Sequence, residues 1–120
     1  MIASGVDLIE INRVREAIAR HGDQFLKRIF TEAELIACAG RVESLAARYA
    51  AKEAAAKALG CGIGEVSWQE IEVLGNEIHA PRLFLRGAAQ VRSNQLGLTT
   101  WSLSLSHTHE HAIAVVFAVA

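Results

Sequence analysis

Several absences narrow what this chain can be. It has almost no excess charge: the formal net charge is −1, so no global field draws it to nucleic acid or to an anionic membrane. It has few cysteines. Cys38 and Cys61 form no disulfide framework, and their spacing fits no metal-ligand set. Free thiols suit a reducing compartment, so a cytoplasmic location is expected. The N-terminus lacks a basic segment followed by an apolar stretch, so no leader peptide is expected. The longest apolar run, Ala112–Ala120, is far too short to span a bilayer. There is no internal repeat, low-complexity tract or linker, and 120 residues suffice for a single domain, 1–120, with one modest core. Hydrophobic residues at 52% and charged residues at 21% match an ordinary soluble globular balance. So small a chain has little room for a deep cleft, so an enzyme site would be expected at a subunit interface.

The patterning that is present predicts an α+β order. Residues 2–9 (IASGVDLI) read as a strand, apolar but for Ser4 and Asp7. A helix follows, with Ile11, Val14, Ile18, Phe25 and Ile29 on one buried stripe and Arg13, Glu16, Arg20, Asp23 and Lys27 opposite. Thr31 with Glu34 reads as a capping box opening a short helix that fades near Gly40. Residues 43–59 form the strongest helix, because alanine is the best helix former, and Gly60 stops it. Its Ala47, Ala50, Ala51, Ala54 and Ala58 make a methyl-only face that lets another backbone approach closely. Gly60–Gly64 then forms a flexible loop. Ser67–Leu74 and Arg82–Leu85 read as strands, and Ala88–Leu96 as a helix ended by Gly97. Trp101–Ser106 alternates as a half-buried strand, His107–His111 turns, and Ala112–Ala120 is an apolar strand central in a sheet. The expected fold is therefore a small antiparallel sheet packed against a long central helix.

Five features could carry chemistry, and each also has a plainer reading. Asp7 stands among Val6, Leu8 and Ile9, where a carboxylate is costly to bury unless paired or metal-bound; alternatively it caps a turn or faces solvent. Along the central helix, Arg48, Lys52, Glu53 and Lys57 occupy roughly half the circumference. They form either a solvated face with a Glu–Lys pair, or a carboxylate for a hard cation flanked by cations for phosphates. Magnesium favours one or two carboxylates plus substrate phosphate oxygens, which Asp7 and Glu53 would supply, with Lys57 placed to meet phosphate charge. The Gly60–Gly64 loop either admits a phosphate or a ligand arm to its backbone N–H groups or merely ends the helix; it lacks the Gly-Lys-Ser/Thr of a phosphate-binding loop. His107, His109 and His111 alternate, but within a turn they make a poor zinc set, and His107 is the best single functional histidine. Arg13, Arg20 and Lys27, seven apart, form either a solvated stripe or a docking surface for an acidic partner.

Three stretches together resemble one family. Gly5-Val6-Asp7-Leu8-Ile9-Glu10-Ile11 with Arg13, then Arg48-Tyr49-Ala50-Ala51-Lys52-Glu53-Ala54-Ala55-Ala56-Lys57-Ala58-Leu59-Gly60 continued by Gly62-Ile63-Gly64, and finally Ser104-Leu105-Ser106-His107-Thr108 are similar to the N-terminal, central and C-terminal motifs of the holo-acyl-carrier-protein synthases. These are the small class of 4′-phosphopantetheinyl transferases. The resemblance runs through nearly the whole chain in the right order. It departs at Gly75–Pro81, where the family's Gly-Lys before the proline is missing, which puts any coenzyme contact of that turn in question. The resemblance implies that coenzyme A donates its phosphopantetheine arm to a serine of an apo acyl carrier protein, in fatty-acid or polyketide synthesis. It further implies Mg2+ held by Asp7 and Glu53; catalysis by Glu53, Lys57 and Asp7; coenzyme contacts from Arg48, Lys57, Gly62, Ile63 and His107; docking of the acidic carrier on Arg13, Arg20 and Lys27; and a homotrimer with each site between two subunits. The competing readings are a catalytically silent α+β carrier-binding module, and another metal-dependent phosphotransferase or hydrolase, for which no motif is present.

Overall fold

The computed structural model describes residues 1–75 and 80–120. Its first strand, β1 (Ile2–Glu10), alternates: Ala3, Gly5, Asp7 and Ile9 face inward, while Ile2, Ser4, Val6 and Leu8 are exposed. Because strand side chains alternate with period 2, the polar Asp7 shares the inner face with Gly5 and Ile9. The chain passes directly into α1 (Ile11–His21) and then α2 (Asp23–Ile29). The expected single helix is broken at Gly22, which adopts φ +53°, a conformation open to glycine at little cost. The stripe Arg13, Arg20, Lys27 is therefore not one continuous helix face: Lys27 rides on α2, apart from the two arginines of α1.

The capping box at Thr31 forms as expected and opens α3 (Glu32–Cys38). Next, α4 (Val42–Ala58) is the central helix, and Ala47, Ala50, Ala51, Ala54 and Ala58 are all buried. The methyl-only face does admit a second backbone. β1 crosses it so closely that a Cβ on Gly5 would lie 1.8 Å from the carbonyl oxygen of Ala54.

The stretch expected as a strand from Ser67 begins instead with a 3-10 turn, Trp68–Glu70, and only Ile71–Leu74 is extended as β2. Ser67 and Glu70 cap each other as Thr31 and Glu34 do, and that local bonding competes with a strand ladder. β2 pairs antiparallel with β3 (Arg82–Leu85). Of the departing turn at 75–81, residues 76–79 lie outside the described residues. α5 (Gly87–Gln95), β4 (Thr100–His107) and β5 (His111–Val119) complete the chain. The main sheet runs β1-β5-β4, all antiparallel, with β5 central as expected. On β5, Ala112, Ala114, Val116 and Ala118 are buried, while Phe117 and Val119 are exposed. The inner face lies on α4. The outer face carries Ile2, Val6, Leu8 and Phe117 into solvent, a larger apolar surface than scattered single residues make.

Candidate active site

The register of β1 and the pitch of α4 bring three predicted residues together. Asp7 points inward from β1. On α4, Tyr49, Glu53 and Lys57 follow one another four apart, which places them along one stripe. Lys57 Nζ donates to the Val6 carbonyl at 2.9 Å and to Asp7 Oδ1 at 3.1 Å. This ion pair is partly open to water, with the lysine side chain 53% and the aspartate 20% exposed. Asp7, Glu53 and Lys57, with Arg13, Phe25 and Tyr49, line a cavity of about 410 Å³. Burial pushes the Glu53 carboxyl above its ordinary range, the Asp7 charge pushes it further, and Lys57 opposes both. Burial also raises the Tyr49 phenol, as do the charges of Glu53 and Asp7, with Arg28 acting against them.

Two carboxylates that repel one another across an open cavity suit a hard divalent cation, which relieves that repulsion and takes oxygen ligands. Among the described residues no group of three or more His, Cys, Asp or Glu could hold a metal ion. Asp7 and Glu53 are the carboxylates on this cavity that could ligate such an ion. The three-histidine alternative gains no support, since His107 ends β4, His111 begins β5 and His109 sits in the turn between them.

Two basic residues expected on the same wet face are elsewhere. Lys52 is wholly buried. Its Nζ donates to Glu34 Oε1 at 2.8 Å and to the carbonyls of Trp68 and Ile71. Glu34 in turn accepts the backbone N–H of Thr31 and of Val73. Lys52 thus ties α4 to α3 and β2 and faces no cavity with the carboxylates. Arg48 is also buried, donating from Nε to the Val73 carbonyl and from Nη2 to the Gly75 carbonyl. It lines a second cavity, of about 230 Å³, with Arg41, Ser44, Gly75, Pro81 and His107. Glu53 lies five positions after Arg48, roughly 140° around the helix. Within one chain, then, Arg48 and His107 share a pocket, and Asp7, Glu53 and Lys57 share another on the far side of α4.

The remaining expected residues scatter. Gly62 is exposed and Ile63 half-buried; Ile63 bridges to Val66, and neither lines the carboxylate cavity. Arg13 does line it, 4.0 Å from Glu10. Arg20 is exposed near the end of α1, and Lys27 lies 4.0 Å from Asp23. The residue that sequence reasoning passed over is Tyr49, whose ring is flanked by Phe25 (centroids 6.4 Å apart, 19° between planes) and Trp68 (4.7 Å, 33°). Its place four residues before Glu53 was the available signal.

Comparison with known proteins is consistent throughout. The family model described as the 4′-phosphopantetheinyl transferase superfamily matches residues 3–116. A holo-[acyl-carrier-protein] synthase of Herpetosiphon aurantiacus is 53% identical over 123 residues, covering 97% of each chain. One of Chlamydia pneumoniae is 45% identical, covering 100% of this chain and 98% of the other. Among solved structures, the holo-[acyl-carrier-protein] synthase of Helicobacter pylori in complex with coenzyme A superposes with a TM-score of 0.87 at 32% identity, covering 99% of this chain and 100% of that one. The Neisseria meningitidis enzyme gives 0.89 at 34% identity over the full length of both.

Proposed function

We propose, because this chain belongs to the 4′-phosphopantetheinyl transferase superfamily, that it transfers phosphopantetheine from coenzyme A to a serine of an apo acyl carrier protein. The serine oxygen forms a bond to the outer phosphorus of the pyrophosphate. The bond from that phosphorus to the bridging oxygen breaks, adenosine 3′,5′-bisphosphate leaves, and the serine proton is lost. The single observation that carries this reading is the convergence of Asp7, Glu53 and Lys57 on one cavity, which a silent carrier-binding module would not need.

Phosphoryl transfer asks a protein mainly for positioning and for positive charge at the reacting oxygens. Asp7 and Glu53 would hold Mg2+, which supplies charge neutralisation and orientation at the pyrophosphate when bound. Lys57, fixed by Asp7 and the Val6 carbonyl, presents its ammonium where negative charge grows on the phosphate oxygens. Glu53 takes the serine proton through an intervening water. Gly62 and Ile63 flank the pantetheine arm, and Arg13 and Arg20, with Lys27 from the neighbouring helix, meet the acidic carrier.

The nucleotide end belongs in the pocket of Arg48 and His107, which is why one copy does not suffice. That pocket and the carboxylates occupy opposite sides of α4, with β1 and β5 covering the alanines between them. A second copy brings its Arg48 pocket to the first copy's carboxylates. The exposed outer face of the main sheet, with Ile2, Val6, Leu8 and Phe117, supplies the surface for a homotrimer. Two free cysteines, and no helix among the described residues long and apolar enough to cross a membrane, support work in the cytoplasm on carriers of fatty-acid or polyketide synthesis, with residues 1–120 as one domain. The test is to incubate the protein with coenzyme A, magnesium and an apo carrier, and then weigh the carrier. It should gain one phosphopantetheine for each adenosine 3′,5′-bisphosphate released. A carrier of unchanged mass, beside a working synthase in parallel, defeats the proposal.

A further inference from the structure

The wall of the carboxylate cavity contains a hydrogen-bond donor that the reaction described above does not use. The Tyr49 ring packs against Phe25 of α2 and against Trp68. Trp68 is itself fixed through its backbone, because its carbonyl accepts from the buried Lys52 ammonium at 2.9 Å. The Tyr49 hydroxyl makes no hydrogen bond to the protein among the described residues, and no buried side-chain oxygen there lacks a partner, so it reaches the open space of the cavity. Glu53 is next along the same stripe and Lys57 follows it. A phenol remains protonated across the neutral range, so it faces the cavity as a donor.

We propose that the Tyr49 hydroxyl is a substrate-binding donor that bonds an oxygen of the outer phosphate of coenzyme A, the phosphate that is transferred. This rests on the transferase reading and deepens it. The chemistry favours this target. The carboxylates would be occupied by the metal, and Lys57 has one N–H left beyond those given to Asp7 and the Val6 carbonyl, so a neutral donor at the wall is what remains for an oxygen turned away from both. Packing against two neighbouring rings means that the donor loses little side-chain freedom when the substrate arrives.

Two ligands test it by isothermal calorimetry at one magnesium concentration, with wild type and Tyr49→Phe side by side. Coenzyme A contains the outer phosphate; adenosine 3′,5′-bisphosphate does not. The substitution keeps the ring and its stacking, and an unchanged melting temperature verifies this. Tyr49→Phe should bind coenzyme A about ten- to a hundredfold more weakly, the worth of one hydrogen bond to a charged group, while binding the bisphosphate as wild type does. Equal weakening toward both ligands, or none toward either, overturns the inference and leaves the transferase reading standing. A wild-type protein that binds neither ligand overturns both.

Discussion

Substituting Lys52 by methionine tests whether the central helix is held by a buried charge. The ammonium and its partner Glu34 are both 0% exposed and 2.8 Å apart. Methionine keeps most of the volume but strands the carboxylate with only the Thr31 and Val73 N–H donors, and leaves the Trp68 and Ile71 carbonyls without their lysine. Removing one member of a buried pair costs about 3–5 kcal/mol, because the other charge is left uncompensated. A chain of 120 residues has an unfolding entropy of roughly 0.25 kcal/mol/K, so the melting temperature should fall by about 12–20 °C. Circular dichroism melts measure the loss. Folded Lys52→Met, kept cold, should bind coenzyme A as wild type does, because Lys52 reaches no cavity with Glu53. A melting temperature within about 3 °C of wild type, or a selective loss of coenzyme affinity, refutes the reasoning.

Gly5→Ala should be among the most damaging single-methyl changes. The added carbon would meet the Ala54 backbone at 1.8 Å, and overpacking against immovable atoms costs about 3 kcal/mol or more; a variant that melts normally would contradict the close crossing. Glu53→Gln should be at least as stable as wild type at neutral pH. The Glu53 carboxyl is raised in the fold, so ionising it opposes folding above its folded pKa and not below the unfolded value near 4.3. Its advantage in denaturant melts should therefore fade as pH drops below about 4; a growing advantage there would be the wrong sign. Glu53→Gln and Arg48→Gln subunits, each deficient in transfer, should regain activity when unfolded and refolded together, since hybrids contain intact composite sites. A mixture no better than its parts would place each site within one chain.

The parts of the fold set by local chemistry were readable from the sequence. The Thr31–Glu34 spacing forms its capping box, the alanines of α4 meet β1 at Gly5, and the serine alternation of β4 and the apolar β5 pair in the expected sheet. Two departures also had local signals. Gly22 was overridden by the periodicity around it, although glycine weakens a helix interior by about 1 kcal/mol. Ser67 and Glu70 repeat the capping spacing that was recognised at Thr31. The burial of Lys52 had no such signal. Its partner Glu34 lies 18 positions away and was already explained by its cap, so the charge pattern of α4 read as a wet face. The site was half legible. Asp7, Glu53 and Lys57 do converge, whereas the separation of Arg48 from them follows only from counting around the helix. That Tyr49 packs against two rings depends on α2 and the 3-10 turn, which no periodicity brings to α4.

Transfer by Glu53→Gln, measured beside wild type by carrier mass over a magnesium titration, tests the carboxylate cavity most directly. The variant keeps the shape of the side chain and removes its charge. Turnover should fall on the order of a hundredfold or more, the scale at which single preorganised electrostatic groups act, with the fold intact. Turnover near wild type at every magnesium concentration would remove Glu53, and with it the cavity it shares with Asp7 and Lys57, from the reaction.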